Sequence, residues 1–504
     1  MKLQRKIISN VFYYFLDIVT LSIFGYIFWI LMGKMLVPEQ YGILLTVVSL
    51  FYVFVSITTL GFHEALPKFI SELVKKNKLS QIRSMITYSI KFVTITSLLL
   101  SVAIFFLSEN TSLILYGSEK MIIPLQFLSI LLFSGVLAYI SKSILQGFQN
   151  FKKLFLADLT GNILKIIIAF VLVFIGLGVI GGIISLVVWF ISVVIVSIIV
   201  IIKIFKSKLK KINFDKKKFF KFSLLSVVSL SSLLLIQQGG IIILGFLSTL
   251  ESVAFLGVAF LVGQIVILIP IVIMGSLFPT FSSFWVKEKN KFTKLLSISI
   301  KVIVLTVLPL VILFTMLSDW IVKILYTTEY LPASFLFPGF LFGSFLLGIN
   351  LLILIALYSA NKPNLRALTL FIGMIINISL CFILIPTFGA QGAVFAFLTS
   401  QIFTLVFSLL FISKLIQLKF SRRSVLIIPV NIIFLILLFF IKLTEILVLK
   451  VLVILFSIMI YIILLFALKI INRNDLDILN YFPDKLGFEA FKRVVKRMIN
   501  FFKR

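Results

Sequence analysis

The sequence is short of charge, of acidic residues and of cysteine. Only 13% of its 504 residues are charged and 61% are hydrophobic, with a mean hydropathy of +1.24. A soluble domain carries roughly twice that share of charge, so a water-soluble globular protein is excluded. Cys381 is the only cysteine. An intramolecular disulfide is therefore impossible, and its place inside an apolar run reads as a small buried hydrophobe. One histidine and 17 acidic residues, with no clustered metal-ligand set and no Ser/His/Asp set, give no signature of a metal centre or a hydrolase. No cofactor is expected. The longest outer loops, near 108–120 and 319–332, are too short for a catalytic domain, which argues against a membrane-bound sugar ligase or glycosyltransferase.

What the chain has instead is long apolar runs. A bilayer crossing needs roughly 20 mostly apolar residues, and fourteen such runs lie near 11–36, 42–62, 84–107, 121–147, 157–177, 180–203, 222–247, 253–277, 295–318, 333–359, 365–386, 390–412, 424–442 and 446–469. The basic start MKLQRKII leads into the first run without a small-residue cleavage site, and so reads as a retained span. The net charge of +30 would point to nucleic acid in a soluble protein. Here the lysines and arginines cluster between spans, which is a topological signal, and no nucleic-acid partner is expected. With both termini in the cytoplasm, inner segments hold all but nine of the 47 basic residues. The nine are Lys34, Lys91, Lys120, Lys142, Lys165, Lys301, Lys323, Lys442 and Lys450.

The chain also repeats itself. IGLGVIGGIISLV (175–187) and IPTFGAQGAVFAF (385–397) each interrupt an apolar run with glycines. A shift of 211 lays Gly178 on Gly389, Gly181 on Gly392 and Asn150 on Asn361; a slightly different shift pairs Tyr41-Gly42 with Leu256-Gly257 and Pro67 with Pro279. Each repeat holds six spans, an even number, so both copies enter the membrane in one orientation, as in transporters built from parallel repeats. The expected architecture is an all-α polytopic membrane protein of fourteen transmembrane helices. It comprises two pseudo-symmetric six-helix lobes (1–205 and 206–415), an appended hairpin (416–470) and a basic cytoplasmic tail (471–504). Within that tail, 486–504 alternates apolar and basic faces suited to an anionic membrane surface.

Three segments carry a family resemblance: MLVPEQYGILLTVVSL (35–50), TLGFHEALPKFISEL (59–73) and NISLCFILIPTFGAQGAVFAFLTS (377–400). They resemble the signature segments of polysaccharide-transport flippases, within the multidrug/oligosaccharidyl-lipid/polysaccharide exporter superfamily. The resemblance spans roughly the first 412 residues. It implies twelve to fourteen helices in two lobes, moving a polyprenyl-linked sugar across the cell membrane by alternating access, with membrane lipids as surroundings.

Ionisable residues inside spans are functional candidates, because a charge at the helix centre costs about 2.5–3.5 kcal/mol on insertion scales. Asp158, Asn162 and Lys165 fall at i, i+4 and i+7 and share one helix face. Asp17 lies in the first span and Lys142 in the fourth, and Lys91 has a charged near-counterpart at the repeat offset, Lys301. The other repeat partners are apolar or neutral: Thr369 for Asp158, Ile353 for Lys142, Ile376 for Lys165. The reading is that Lys165, Lys142, Lys91 and Lys301, with Asn162, Gln237 and Gln238, receive a sugar-lipid diphosphate head group. Asp17 and Asp158 hold the lysines in the empty site or couple a cation, proton or sodium. The competing reading is that the lysines snorkel and that Gln237 and Gln238 are packing bonds between helices. His63 and Glu64 are candidates for proton coupling, and Pro270 and Pro309 for hinges or fixed kinks. A multidrug or cation exporter of the same superfamily is the alternative function, although it would want more intramembrane carboxylates than Asp17 and Asp158.

Overall fold

The computed structural model describes residues 2–204, 213–418, 422–443 and 446–471. Those residues are almost wholly helical and contain no strand. The amphipathic stretch 486–504 lies outside them. In chain order the helices are α1 (Lys2–Met35), α2 (Pro38–Thr58), α3 (Phe62–Lys75), α4 (Leu79–Tyr116), α5 (Ile122–Gly147), α6 (Phe151–Leu172), α7 (Gly178–Ile204) and α8 (Lys216–Leu247). There follow α9 (Leu250–Lys287), α10 (Lys289–Met316), α11 (Ser318–Leu325), α12 (Phe337–Ser359), α13 (Pro363–Phe388), α14 (Ala390–Ser413), α15 (Ile427–Phe439) and α16 (Leu447–Ala467).

Thirteen continuous helical runs among the described residues are long and apolar enough to cross a membrane. One of them, Phe151–Ile199, folds back on itself at Gly176 (φ 96°) and Gly178 (φ 49°) and so supplies two crossings, α6 and α7. Only α3 and α11 are too short. Counted this way, the number of crossings among the described residues is close to the fourteen expected.

The repeat is visible in backbone geometry. Gly178 and its partner Gly389 both take a positive φ, 49° and 55°, which a glycine adopts at little cost and an L-residue does not. The next repeat pair does a second job. A Cβ on Gly181 would sit 2.8 Å from the Leu172 side chain, and one on Gly392 would overlap the Leu384 carbonyl. The first hairpin therefore turns on Gly176 and Gly178 and closes on Gly181, and the second turns on Gly389 and closes on Gly392.

The chain divides into two compact units. The first comprises Met1–Gly257 with Leu325–Tyr330 and Asn377–Ala393; the second comprises Val258–Ile324, Leu331–Ile376 and Val394–Arg504. The first unit takes in α8 and the start of α9 because both are tied to α2. Ser49 Oγ donates to Gln238 Oε1 at 2.9 Å, and the Ser56 and Ser231 hydroxyls lie 3.0 Å apart. At the far end a Cβ on Gly42 would overlap the Leu250 carbonyl oxygen, while one on Gly257 would overlap the Leu45 side chain. Two glycines paired by the repeat thus each admit the other's helix, the reciprocity a two-fold contact requires. Beside them Tyr41, Tyr326 and Tyr330 pack with ring centroids 5.3 to 6.1 Å apart. The Tyr330 hydroxyl donates to the Leu36 carbonyl at 3.0 Å.

In the second unit small residues face large ones, the usual device where apolar helices pack without a solvent-driven core. Pro270 of α9 seats its ring over Gly348 of α12, and Gly343 faces the ring of Phe397. The hairpin α15–α16 packs on α10 through Val430, Phe434, Leu438 and Leu465, and the Tyr461 hydroxyl donates to the Leu305 carbonyl at 3.0 Å.

Candidate functional site

The polar stripe on α6 is the foundation of the site. Asn162 Nδ2 donates to the Asp158 carbonyl, four residues back, at 2.8 Å. That bond fixes the amide so that its Oδ1 accepts from Lys165 Nζ at 2.7 Å. Neighbouring helices complete the set. From α5, Lys142 Nζ lies 2.9 Å from Asp158 Oδ1 and 2.8 Å from Oδ2. From α1 comes Asp17, buried and close beside Asp158, with its Oδ1 lacking a hydrogen-bond partner. Asp158, Asn162 and Lys165 are buried as well, whereas the Lys142 side chain keeps 19% of its surface open. Two carboxyl and two amino side chains thus form one buried cluster that is formally neutral when all four ionise.

The two lysines are held differently. Lys142 is bound by both oxygens of one carboxylate. Lys165 has an amide oxygen and two aromatic faces: Nζ lies 4.5 Å from the Trp189 ring centroid on α7 and 5.2 Å from that of Phe28 on α1. Lys142 Nζ is 5.9 Å from the same indole. Gly161 makes this possible, since a Cβ there would run into Trp189 Cδ1 and Ser192 Oγ. Trp189 stacks on Phe190 with centroids 4.6 Å apart and planes 23° from parallel, and its Nε1 is buried without an acceptor.

Of the residues singled out from sequence, Asp17, Lys142, Asp158, Asn162 and Lys165 come together. The other four sit elsewhere. Lys91 is exposed on α4. Lys301 is buried on α10 and donates to the Ile470 carbonyl just beyond α16. Gln238 is engaged by Ser49, and Gln237 lies half-buried on α8. Trp189 and Phe28 were not anticipated: an aromatic residue inside an apolar span gives no signal in a search for charge. His63 stands apart at the α2–α3 junction, its Nδ1 2.9 Å from Thr59 Oγ1 and its carbonyl accepting from Ser143 Oγ at 2.8 Å. Burial lowers its pKa and the Glu64 charge opposes that shift. Among the described residues no three His, Cys, Asp or Glu side chains gather as metal ligands would.

Comparison with known proteins agrees with this fold. Residues 7–285, more than half of the chain, match the family described as polysaccharide biosynthesis protein. An uncharacterized membrane protein of Methanocaldococcus jannaschii is 26% identical over 470 residues, covering 86% of this chain and 90% of the relative. A probable low-salt glycan biosynthesis flippase of Haloferax volcanii is 26% identical over 221 residues, covering 44% of this chain and 47% of the relative. Among solved structures, the lipid II flippase MurJ in an inward closed conformation superposes with a TM-score of 0.70 at 19% identity, over 92% of this chain and 100% of that one. An inward-facing multidrug resistance MATE family transporter gives 0.65 at 14% identity, over 79% and 95% respectively. At these identities the two structures speak for the fold alone.

Proposed function

The chain belongs to the polysaccharide biosynthesis protein family, and from that premise we propose that it is a flippase. It carries a polyprenyl-diphosphate-linked oligosaccharide across the cell membrane by alternating access between its repeats, 1–205 and 206–415. Both termini face the cytoplasm. Its work is transport, not catalysis. The observation that carries the reading is the buried Asp17, Lys142, Asp158 and Lys165 cluster on α1, α5 and α6. A membrane protein retains buried charge where it handles charge, and ammonium groups suit a diphosphate as point charges.

In the empty site Asp158 neutralises Lys142. An arriving diphosphate competes for the lysines and leaves the carboxylates to take up a proton or sodium ion, which couples head-group binding to the cation gradient. Lys91 and Lys301 stay outside this exchange, one exposed and the other bonded to Ile470.

Reconstitution into liposomes tests the proposal. Vesicles holding the full chain should translocate a polyprenyl-diphosphate sugar, and Asp158→Ala should abolish that activity. If several sugar donors all fail while an acid-driven efflux of organic cations is found and is lost in Asp17→Asn, the exporter reading replaces this one.

A further inference from the structure

Lys165 is the one buried cation of the cluster without a carboxylate at bonding distance, and this difference from Lys142 has a chemical consequence. An anion that approaches Lys142 must displace Asp158, whose two oxygens lie 2.8 and 2.9 Å away. An anion that approaches Lys165 displaces only an aromatic face and keeps the Asn162 bond. The aromatic face holds the ammonium less firmly than a buried ion pair would. The indole also has an unused donor. A buried N–H without a partner is rare in native structures and calls for an explanation, and Trp189 Nε1 is one.

We propose that Trp189 is a substrate-site residue: its ring face holds the Lys165 ammonium while the site is empty, and its Nε1–H donates to a phosphate oxygen once the head group has drawn Lys165 away. The proposal rests on the diphosphate reading of the site. It assigns Lys165 the first contact with the head group and Trp189 the discrimination between a diphosphate-bearing lipid and a neutral one. Gly161 belongs to the same device, because any larger residue would push the indole out of reach of both lysines.

The test uses the full chain with Trp29, Trp285 and Trp320 changed to phenylalanine, so that Trp189 is the sole indole and reports its own surroundings. Farnesyl diphosphate is the probe, farnesol the neutral control, and inorganic pyrophosphate separates head-group from lipid chemistry. Binding is measured independently by equilibrium dialysis of radiolabelled probe. The expected result is a saturating change in Trp189 emission with farnesyl diphosphate and, more weakly, with pyrophosphate. Farnesol should give none, and Lys165→Ala should abolish the response. In transport, Trp189→Phe, which keeps a ring face and loses the donor, should raise the half-saturating substrate concentration about tenfold, the size of a lost hydrogen bond to a charged group, at an unchanged maximal rate. Trp189→Leu, which loses the donor but also frees Lys165 in the empty site, should fall between that variant and the parent. Bound farnesyl diphosphate with no change in emission overturns the inference and leaves the flippase reading intact. So does a Trp189→Phe defect confined to the maximal rate. No binding of farnesyl diphosphate at all overturns both.

Discussion

The helices joined by the two glycine hairpins were built from one plan and carry opposite chemistry. Where α6 has Asp158 and Lys165, α13 has Thr369 and Ile376, and where α5 has Lys142, α12 has Ile353. The second repeat has neutral polar groups on α12, α13 and α14, bonded in part to one another and to backbone, with Asn350 Oδ1 and Gln401 Nε2 left without partners. Asn350 Nδ2 donates to the Gln401 backbone carbonyl and to its Oε1, each at 3.0 Å, and Thr369 bonds back to Leu365 at 2.8 Å. Backbone-level features recur in both repeats, while the cluster of Asp17, Lys142, Asp158 and Lys165 belongs to the first. Under the proposed function, pseudo-symmetry supplies the moving parts and the break in symmetry supplies the site.

The largest expected effect attacks the charged side of that comparison. Asp158→Asn leaves Lys142 largely buried without its counter-charge and should cost about 3 kcal/mol or more of stability, read as a lowered thermal midpoint in detergent. Adding Lys142→Met should recover most of that loss without recovering transport. Next is Lys301→Met, which deletes a charge-assisted bond to the Ile470 carbonyl at the end of α16. It should destabilise by about 1.5–3 kcal/mol and leave the half-saturating substrate concentration alone. Gly178→Ala and Gly389→Ala each force an L-residue to positive φ and should cost about 1–3 kcal/mol, the more at Gly178, whose ψ of −126° lies outside the left-handed helical region. Equal losses in thermal midpoint would contradict that order. The smallest effect concerns His63. Its lowered pKa means the unfolded chain takes up the proton more readily. Its contribution to stability is thus present at neutral pH and lost as the pH falls through the ordinary histidine range. His63→Gln should flatten that decline in a series of thermal midpoints against pH.

Much of this was legible in the sequence. Span length and hydropathy are local properties, so the approximate number of crossings, and the repeat offset that lays Gly178 on Gly389, needed no tertiary knowledge. Helical spacing likewise put Asp158, Asn162 and Lys165 on one face. Two things were beyond reach. Whether Lys142 or Lys301 joins that face depends on which helix packs beside α6. The answer is α5 for Lys142, whereas Lys301 is taken up by the carbonyl of Ile470 at the end of the appended hairpin. The aromatic support of Lys165 was hidden because Trp189 and Phe28 look like any other apolar residue in a span, and only the packing allowed by Gly161 reveals their use.

The central claim is that substrate is recognised by one repeat and not by both. The direct measurement is the initial rate of lipid-linked sugar flipping against substrate concentration in proteoliposomes, for Lys165→Ala and Lys301→Met side by side at matched insertion. The account predicts a sharp rise in half-saturating concentration, or complete loss of flipping, for Lys165→Ala, and an unchanged half-saturation for Lys301→Met. Equal impairment by the two substitutions, or none from Lys165→Ala, would contradict it.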